Sequence, residues 1–430
     1  MSELRPRSTR SATTAHGIAR HGQLKKSSPW PAILKFLGAA LVVVLISGAS
    51  VGALVATQIK DQITTVSLVG ETDGPPPSIG AYDGGFNILI VGSDKCEDDT
   101  GCGGRGDANL NDVTMLLHVS EDQTNAVAVS IPRDMVVPIP ACPQADGTGT
   151  NSAMSARPIN ETLYYGGLPC TVLTVEALTG LDIQFAGLIT FNGVIQMSDA
   201  VGGVDVCVDS AIKDKYTGLN LPSAGTYKLS GADALAFLRT RHGVGDGSDL
   251  TRISSQQVYL SSLVRTLKSG ETLSDPVKIY NLAKAATANM TLSQGFSNLD
   301  TLASIALALK DIPLDQVTFV QYPGTTGVGG VYQGKVAPVK AKADALFALI
   351  KSDTPFALAA VGDDRGSTID PNAPVAPAPA ATADPAATAD PATPATPTTA
   401  DPAAPTTPEK VLDVKGQTAA DYTCSKKFSG

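Results

Sequence analysis

The 430-residue chain lacks the local motifs of several common enzyme classes. Neither a GxxxxGK followed by Ser or Thr nor an HExxH occurs, so a P-loop ATPase and a zincin lose their warrant. Zinc binding of the structural kind is excluded by spacing, because no CxxC pair is present. Beyond residue 60, His118 and His242 supply the only imidazoles. Positive charge is also short: 32 Lys and Arg face 41 Asp and Glu, for a net of −9. Every acid except Glu3 lies beyond Lys60. An acidic body argues against nucleic acid as partner, since that binding rests on phosphate neutralisation by Lys and Arg. Charged residues make up only 17% of the chain, but 43% are hydrophobic, which rules out a wholly disordered chain.

Charge is absent altogether from Phe36–Ile59, a predominantly apolar run. At about 1.5 Å per residue it reaches roughly 36 Å, longer than a bilayer's hydrocarbon core of about 30 Å. It is too long for a signal-peptide core, and no second run follows. The expectation is a single-pass anchor. Arg5, Arg7, Arg10, Arg20, Lys25 and Lys26 precede it, which places residues 1–35 in the cytoplasm and 60–430 outside.

All six cysteines (Cys96, Cys102, Cys142, Cys170, Cys207 and Cys424) lie on that outer side, which favours disulfides. Cys96 with Cys102 is the most local pair, and Cys142 with Cys170 flanks one segment. Elimination leaves Cys207 for Cys424, against the alternative of a free thiol at the chain end. Residues 60–83 read as a stalk, 84–359 as a folded α/β domain, and 360–410 as a Pro/Ala/Thr-rich linker without structure. Residues 411–430 form a cysteine-bearing tail.

Within the folded region, apolar runs at Phe86–Val91, Val113–Val119 and Ala126–Ile131 predict strands, the last two as a hairpin. Helical patterns occur at Cys170–Thr179, Phe191–Val201, Ser230–Leu238, Asp249–Lys268, Asn298–Lys310 and Val339–Lys351. Ser230 and Asp233 have the form of a capping box. This alternation predicts a mixed central sheet flanked by helices.

Arginine is scarce outside, which makes its placement informative. Arg133 follows a predicted strand, Arg239 and Arg241 end a predicted helix, and Arg252 opens another with Gln256 on the same face. The stripe Ile253, Leu260, Val264 and Leu267 lies about 100° away from Arg252, so the arginine should point away from the core. Guanidinium groups at element ends suit an anionic ligand, although each has a neighbouring acid as an alternative partner. Asp94 ends the first strand and Asp112 opens the second. If those strands are neighbours, the two carboxylates suit a hard cation such as Mg²⁺.

These stretches together resemble the LytR-CpsA-Psr family of cell-wall glycopolymer transferases. The matching segments are Asn87–Asp94, Asn111–His118, Val129–Asp134, Val201–Val206, Leu229–Leu235 with Arg239-Thr240-Arg241, and Ser248-Asp249 with Arg252 and Gln256-Gln257. They occur in the family's order behind a single anchor. The resemblance implies transfer of a phosphosugar-linked glycopolymer from a polyprenyl-pyrophosphate carrier to a peptidoglycan hydroxyl. Asp94 and Asp112 then correspond to the Mg²⁺ ligands, with Mn²⁺ as an alternative ion. Arg133, Arg239, Arg241, Arg252 and Gln256 correspond to the pyrophosphate-binding set, and Asp94, Asp112 and Arg252 to the catalytic one. An arginine common in the family two residues before the second aspartate is replaced by Leu110, and Arg105 is the candidate substitute. Two further functions compete: a pyrophosphohydrolase using the same site, and a non-catalytic lipid binder or wall tether.

Overall fold

The computed structural model describes residues 30, 34–35, 64–71, 84–95, 109–269, 285–286, 288–373 and 410–429. Two compact units divide the chain, Met1–Val55 and Ala56–Gly430. Trp30, Leu34 and Lys35 are the described residues of the first; the second holds everything that follows. No helix among the described residues is long and apolar enough to cross a membrane. The expected anchor at 36–59 lies outside the described residues, as do Cys96, Cys102, Arg105 and most of the expected linker.

The strands used below are, in chain order, β1 (Thr64–Val66), β2 (Phe86–Ser93), β3 (Asn111–Val119), β4 (Ala126–Ile131), β5 (Phe185–Ile189), β6 (Val204–Val208), β7 (Gly225–Leu229), β8 (Met290–Ser293), β9 (Val317–Gln321), β10 (Ser367–Ile369), β11 (Gly416–Thr418) and β12 (Thr423–Ser425). The helices are α1 (Thr162–Thr179), α2 (Phe191–Val201), α3 (Gly231–Arg239), α4 (Asp249–Lys268), α5 (Leu299–Asp311) and α6 (Lys340–Lys351).

An eight-stranded sheet runs in the order β1-β8-β5-β2-β3-β4-β9-β11. It is mixed: β2 pairs antiparallel with β3 and parallel with β5, while β4 pairs parallel with β9. The predicted hairpin of β3 and β4 is present. Side chains alternate between the two faces, as the period of a strand demands. Leu89, Val91 and Leu116 enter one core with α1 and α6, whereas Phe86, Ile88 and Val119 enter a second core that includes Ile305 and Ala308 of α5. A four-stranded sheet in the order β7-β6-β12-β10 stands apart from the first.

Several expectations change in detail. α1 begins at Thr162 rather than Cys170, with a kink at Gly166 and Gly167. Gly167 takes φ 64°, a value that glycine adopts without a Cβ clash, and Pro169 sits just after the break, where its missing N–H costs little. The capping box at Ser230 does not form, because its side chain makes no cap hydrogen bond. The amide of Gly231 is satisfied instead by Ser198 Oγ of α2, at 2.8 Å. The segment expected as a stalk contributes β1, paired with β8. The C-terminal tail contributes β11 to the large sheet and β12 to the small one. Two disulfides, Cys142–Cys170 and Cys207–Cys424, match the pairs that spacing and elimination favoured.

Candidate active site

β2 and β3 bring Asp94 and Asp112 to one end of the large sheet. Ser93 pairs with Asn111, and the Asp94 amide donates to the Leu110 carbonyl at 3.0 Å. The two strands are neighbours, as a shared cation requires. Leu110 also gives its own amide to Asp94 Oδ1 at 2.8 Å. Position 110 therefore closes the turn with its backbone and offers no cation, while Arg105 lies outside the described residues.

Around Asp112 the arginines converge. Arg133, just after β4, bonds the Asp112 carboxylate through a guanidinium N–H. It also approaches Asp134 at 3.5 Å. Arg252, in the first turn of α4, is only 3% exposed and donates to the backbone carbonyl of Asp112 at 2.7 Å. Arg241 reaches in from the loop after α3. One residue joins all three: Asp249. Its carboxylate takes the Arg133 amide at 3.0 Å, Arg241 at 2.8 Å and Arg252 at 2.6 Å. Lying in the first turn of α4, Asp249 also sits where the helix's free amides favour negative charge.

Burial disfavours the charged form of Asp112, but Arg252, Arg133 and Arg241 outweigh it and hold the carboxyl below its ordinary range. Burial also opposes charge on Arg133, yet Asp112, Asp134 and Asp249 raise its pKa further. For Arg241 the balance goes the other way. Desolvation and the neighbouring Arg252 lower it despite Asp249. The buried Nε atoms of Arg133 and Arg252 make no hydrogen bond, although Arg133 Nε lies 3.5 Å from Asp134 Oδ2.

Behind this cluster lies a cavity of about 340 Å³. Its walls are Ile90, Met115 and Ile189 from the sheet and Val194, Leu235 and Leu260 from α2, α3 and α4. At one side it meets Asp112, Arg239, Arg252 and Gln256. Arg239 lies 4.1 Å above the Phe191 ring, a cation–π contact at the cavity wall. Gln256 donates to the Leu238 carbonyl at 2.9 Å and so braces α4 against the end of α3.

The structure thus gathers Asp112, Arg133, Arg241 and Arg252 in direct contact, with Arg239 and Gln256 at the adjoining cavity. The expected orientation of Arg252 needs correction. It does not point away from the helix's apolar stripe, because Leu260 and Leu267 line the same cavity. The stripe bends with the helix period, so residues 252, 256, 260, 263 and 267 share one face. Asp249, Asp134 and Lys335 were missing from the site set read from sequence. Asp249 carried a signal, its three-residue spacing before Arg252; Lys335, whose Nζ reaches Asp134 at 3.0 Å, carried none.

The carboxylates of Asp94 and Asp112 fit Mg²⁺ in donor chemistry: hard oxygens on paired strands, with Asp112 held ionised. Among the described residues, the one geometric cluster of candidate metal ligands is Cys207, Asp370 and Cys424, whose cysteines are already joined as a disulfide.

A LytR_cpsA_psr family model matches residues 45–348. The chain belongs to that family. It is 31% identical over 271 residues to the cell wall biosynthesis protein LcpA of Corynebacterium glutamicum, covering 57% of this chain and 51% of that protein. The chain thus spans about half the length of that curated relative. It is also 26% identical over 326 residues to the polyisoprenyl-teichoic acid–peptidoglycan teichoic acid transferase TagT of Bacillus subtilis, covering 74% of this chain and 92% of TagT. Among solved structures, the LytR-Csp2A-Psr enzyme from Actinomyces oris aligns with a TM-score of 0.48 at 24% identity, over 67% of this chain and 95% of that one.

Proposed function

We propose that this chain transfers a phosphosugar-linked glycopolymer from a polyprenyl-pyrophosphate carrier to a peptidoglycan hydroxyl, releasing polyprenyl phosphate, on the outer side of the membrane that its N-terminal run anchors it to. One observation carries the reading: an apolar cavity bordered by a buried cluster of arginines. An isoprenoid chain suits the cavity walls, and a pyrophosphate suits guanidinium groups that include two buried Nε donors making no hydrogen bond. The relatives named as teichoic acid transferases support the same chemistry at the family level.

In this reading Arg133, Arg241 and Arg252 hold the pyrophosphate oxygens, and Arg239 and Gln256 guard the junction between lipid and phosphate. The acceptor hydroxyl forms a new bond to the sugar-linked phosphorus while the bond to the lipid-linked phosphate oxygen breaks. Such transfer depends on positioning and charge stabilisation, with no protein nucleophile. Asp94 and Asp112 would hold Mg²⁺, which when bound neutralises charge on the phosphates. Besides any part in holding the ion, Asp112 fixes Arg133 through its carboxylate and Arg252 through its backbone carbonyl.

The test uses the full chain in detergent with a lipid-linked donor, with and without peptidoglycan. Product attached to glycan supports transfer. Free phosphosugar regardless of acceptor replaces the reading with hydrolysis, and binding without turnover replaces it with a lipid tether. Under the same conditions Asp94→Asn should shift the Mg²⁺ dependence; an unchanged metal titration removes Asp94 as a ligand.

A further inference from the structure

The family match ends at residue 348, yet the chain folds on well past it. Two pieces of what it builds there, residues 363–367 and 424–429, meet the loop and first turns that carry Arg241, Asp249 and Arg252. Ser254 Oγ, two residues beyond Arg252, donates to Asp363 Oδ2 at 2.6 Å. The other oxygen of Asp363 collects the amides of Arg365, Gly366 and Ser367 at 3.1, 2.7 and 3.0 Å, which makes this segment a preformed turn. Next to it, Ser255 Oγ meets Ser425 Oγ at 2.7 Å, with both serines buried.

The backbone makes the same approach. A Cβ on Gly366 would stand 2.4 Å from the Thr251 carbonyl, so residue 366 lies directly on the first turn of α4. Lys426 then links three segments: its amide donates to the Gly366 carbonyl at 3.0 Å, and its carbonyl accepts from Gly245 at 3.1 Å. Ser429 donates to Gly245 at 2.8 Å and Phe428 to Gly243 at 3.0 Å. Gly243 and Gly245 belong to the loop between Arg241 and Asp249. Gly245 takes φ +51°, and a Cβ there would meet Thr251 at 2.6 Å and the Arg365 carbonyl at 2.9 Å. Finally, Cys207–Cys424 ties this tail covalently to β6.

We infer that residues 360–370 and 416–429 form a positioning buttress for the arginine cluster, with Asp363 and Ser425 as positioning residues that act through α4 and its preceding loop. The inference rests on the proposed pyrophosphate reading for what the cluster binds, but the buttress itself rests on these contacts. The hydrogen bonds gather on the backbone of Gly243 and Gly245 and on the hydroxyls of Ser254 and Ser255, within the stretch whose course decides where the Arg241 and Arg252 guanidinium groups lie. Groups that must sit within fractions of an ångström of their ligand need such a supporting shell.

The test compares the full chain in detergent with Asp363→Ala and Ser425→Ala. Asp413→Asn is the control: it breaks the tail's exposed tie to Lys342 at 2.6 Å and touches nothing near α4. Amide exchange is followed in residues 243–256, and binding of inorganic pyrophosphate by calorimetry. Both variants should speed exchange in that stretch and weaken pyrophosphate binding by about fivefold, the worth of one buried hydrogen bond. Asp413→Asn should change neither. Exchange and affinity in both variants equal to the control's would overturn the buttress. If the unaltered chain binds no pyrophosphate, the substrate reading falls, and exchange alone decides the buttress: faster in the two variants upholds it, unchanged rejects it.

Discussion

Removing the Asp249 carboxylate should unfold the site before it changes anything else. That side chain is 5% exposed and accepts from the Arg133 amide, Arg241 and Arg252. In Asp249→Ala, Arg133, Arg241 and Arg252 stay packed together with Asp112 and Asp134 as their remaining acids. Deleting one partner of a buried ion pair costs about 3–5 kcal/mol, because the other charge is left without compensation. The Arg241 side chain is 23% exposed, so water screens its share and the lower end, about 3 kcal/mol, is expected. Asp249→Asn keeps the shape and one neutral acceptor and should cost about half as much. Urea unfolding of the full chain, read by far-ultraviolet circular dichroism, measures both. The midpoint should fall in the order native, Asn, Ala with an unchanged slope. An Ala variant within about 0.5 kcal/mol of the native chain would refute the reasoning, since surface changes without such a role fall in that range.

The remaining predictions concern activity and acid. Arg241→Ala and Arg252→Ala should each lower transfer at least about tenfold, near 1.4 kcal/mol of transition-state binding, while the exposed Arg157→Ala leaves it unchanged; equal losses in all three would remove the site assignment. Arg265 is no neutral control, because it donates to the Ala419 and Asp421 carbonyls and stacks 4.4 Å from the Tyr422 ring, holding the tail. Burial opposes the charged forms of Asp134 and Asp214, but Lys335 and the arginines at the one, and the Thr240 hydroxyl with backbone amides at the other, lower both. Carboxyls depressed in the folded state add stability above their unfolded pKa and lose it as pH falls through the folded one, so the urea midpoint should drop below about pH 4. Asp214→Asn should make that acid slope shallower, and an identical slope would show that Asp214 contributes nothing to it.

How much of this was legible in the sequence follows the range of each signal. The apolar run Phe86–Val91 and the four-residue spacing of Arg252 and Gln256 are local, and both survive in the structure. The capping box at Ser230 failed because the Asp233 amide turns to the Ser230 backbone carbonyl at 3.2 Å, while the Gly231 amide is taken by Ser198 of another helix. The stripe of α4 does pack on the core through Ile253, Leu260 and Val264, but Leu260 also borders the cavity that Arg252 reaches, and only the fold shows that one side chain serves both. Lys335 is joined to Asp134 across 201 residues of chain, and no window of sequence contains both. The tail's strands were hidden for a different reason. Gly416–Thr418 and Thr423–Ser425 are three residues each, too short to carry a period, and they become strands because longer neighbours are already in place.

The charge pattern explains how three arginines can be packed into one buried cluster. Arg133, Arg241 and Arg252 lie close enough to repel, and in a buried setting that repulsion would splay them. Asp112, Asp134 and Asp249 prevent this by taking one contact from each in turn, so every guanidinium group is pinned by an acid and also retains unused N–H donors. A fully paired cluster would have no donors left for a ligand, and an unpaired one would not fold. The intermediate state is visible in the buried Nε atoms: that of Arg252 makes no hydrogen bond, and that of Arg133 has Asp134 Oδ2 at 3.5 Å, too long for one. In the proposed reading an anion with several oxygens would bind guanidinium N–H groups that the acids already hold in place, adding hydrogen bonds to a frame already set. Such pre-set donors lower the reorganisation that phosphoryl transfer would otherwise require.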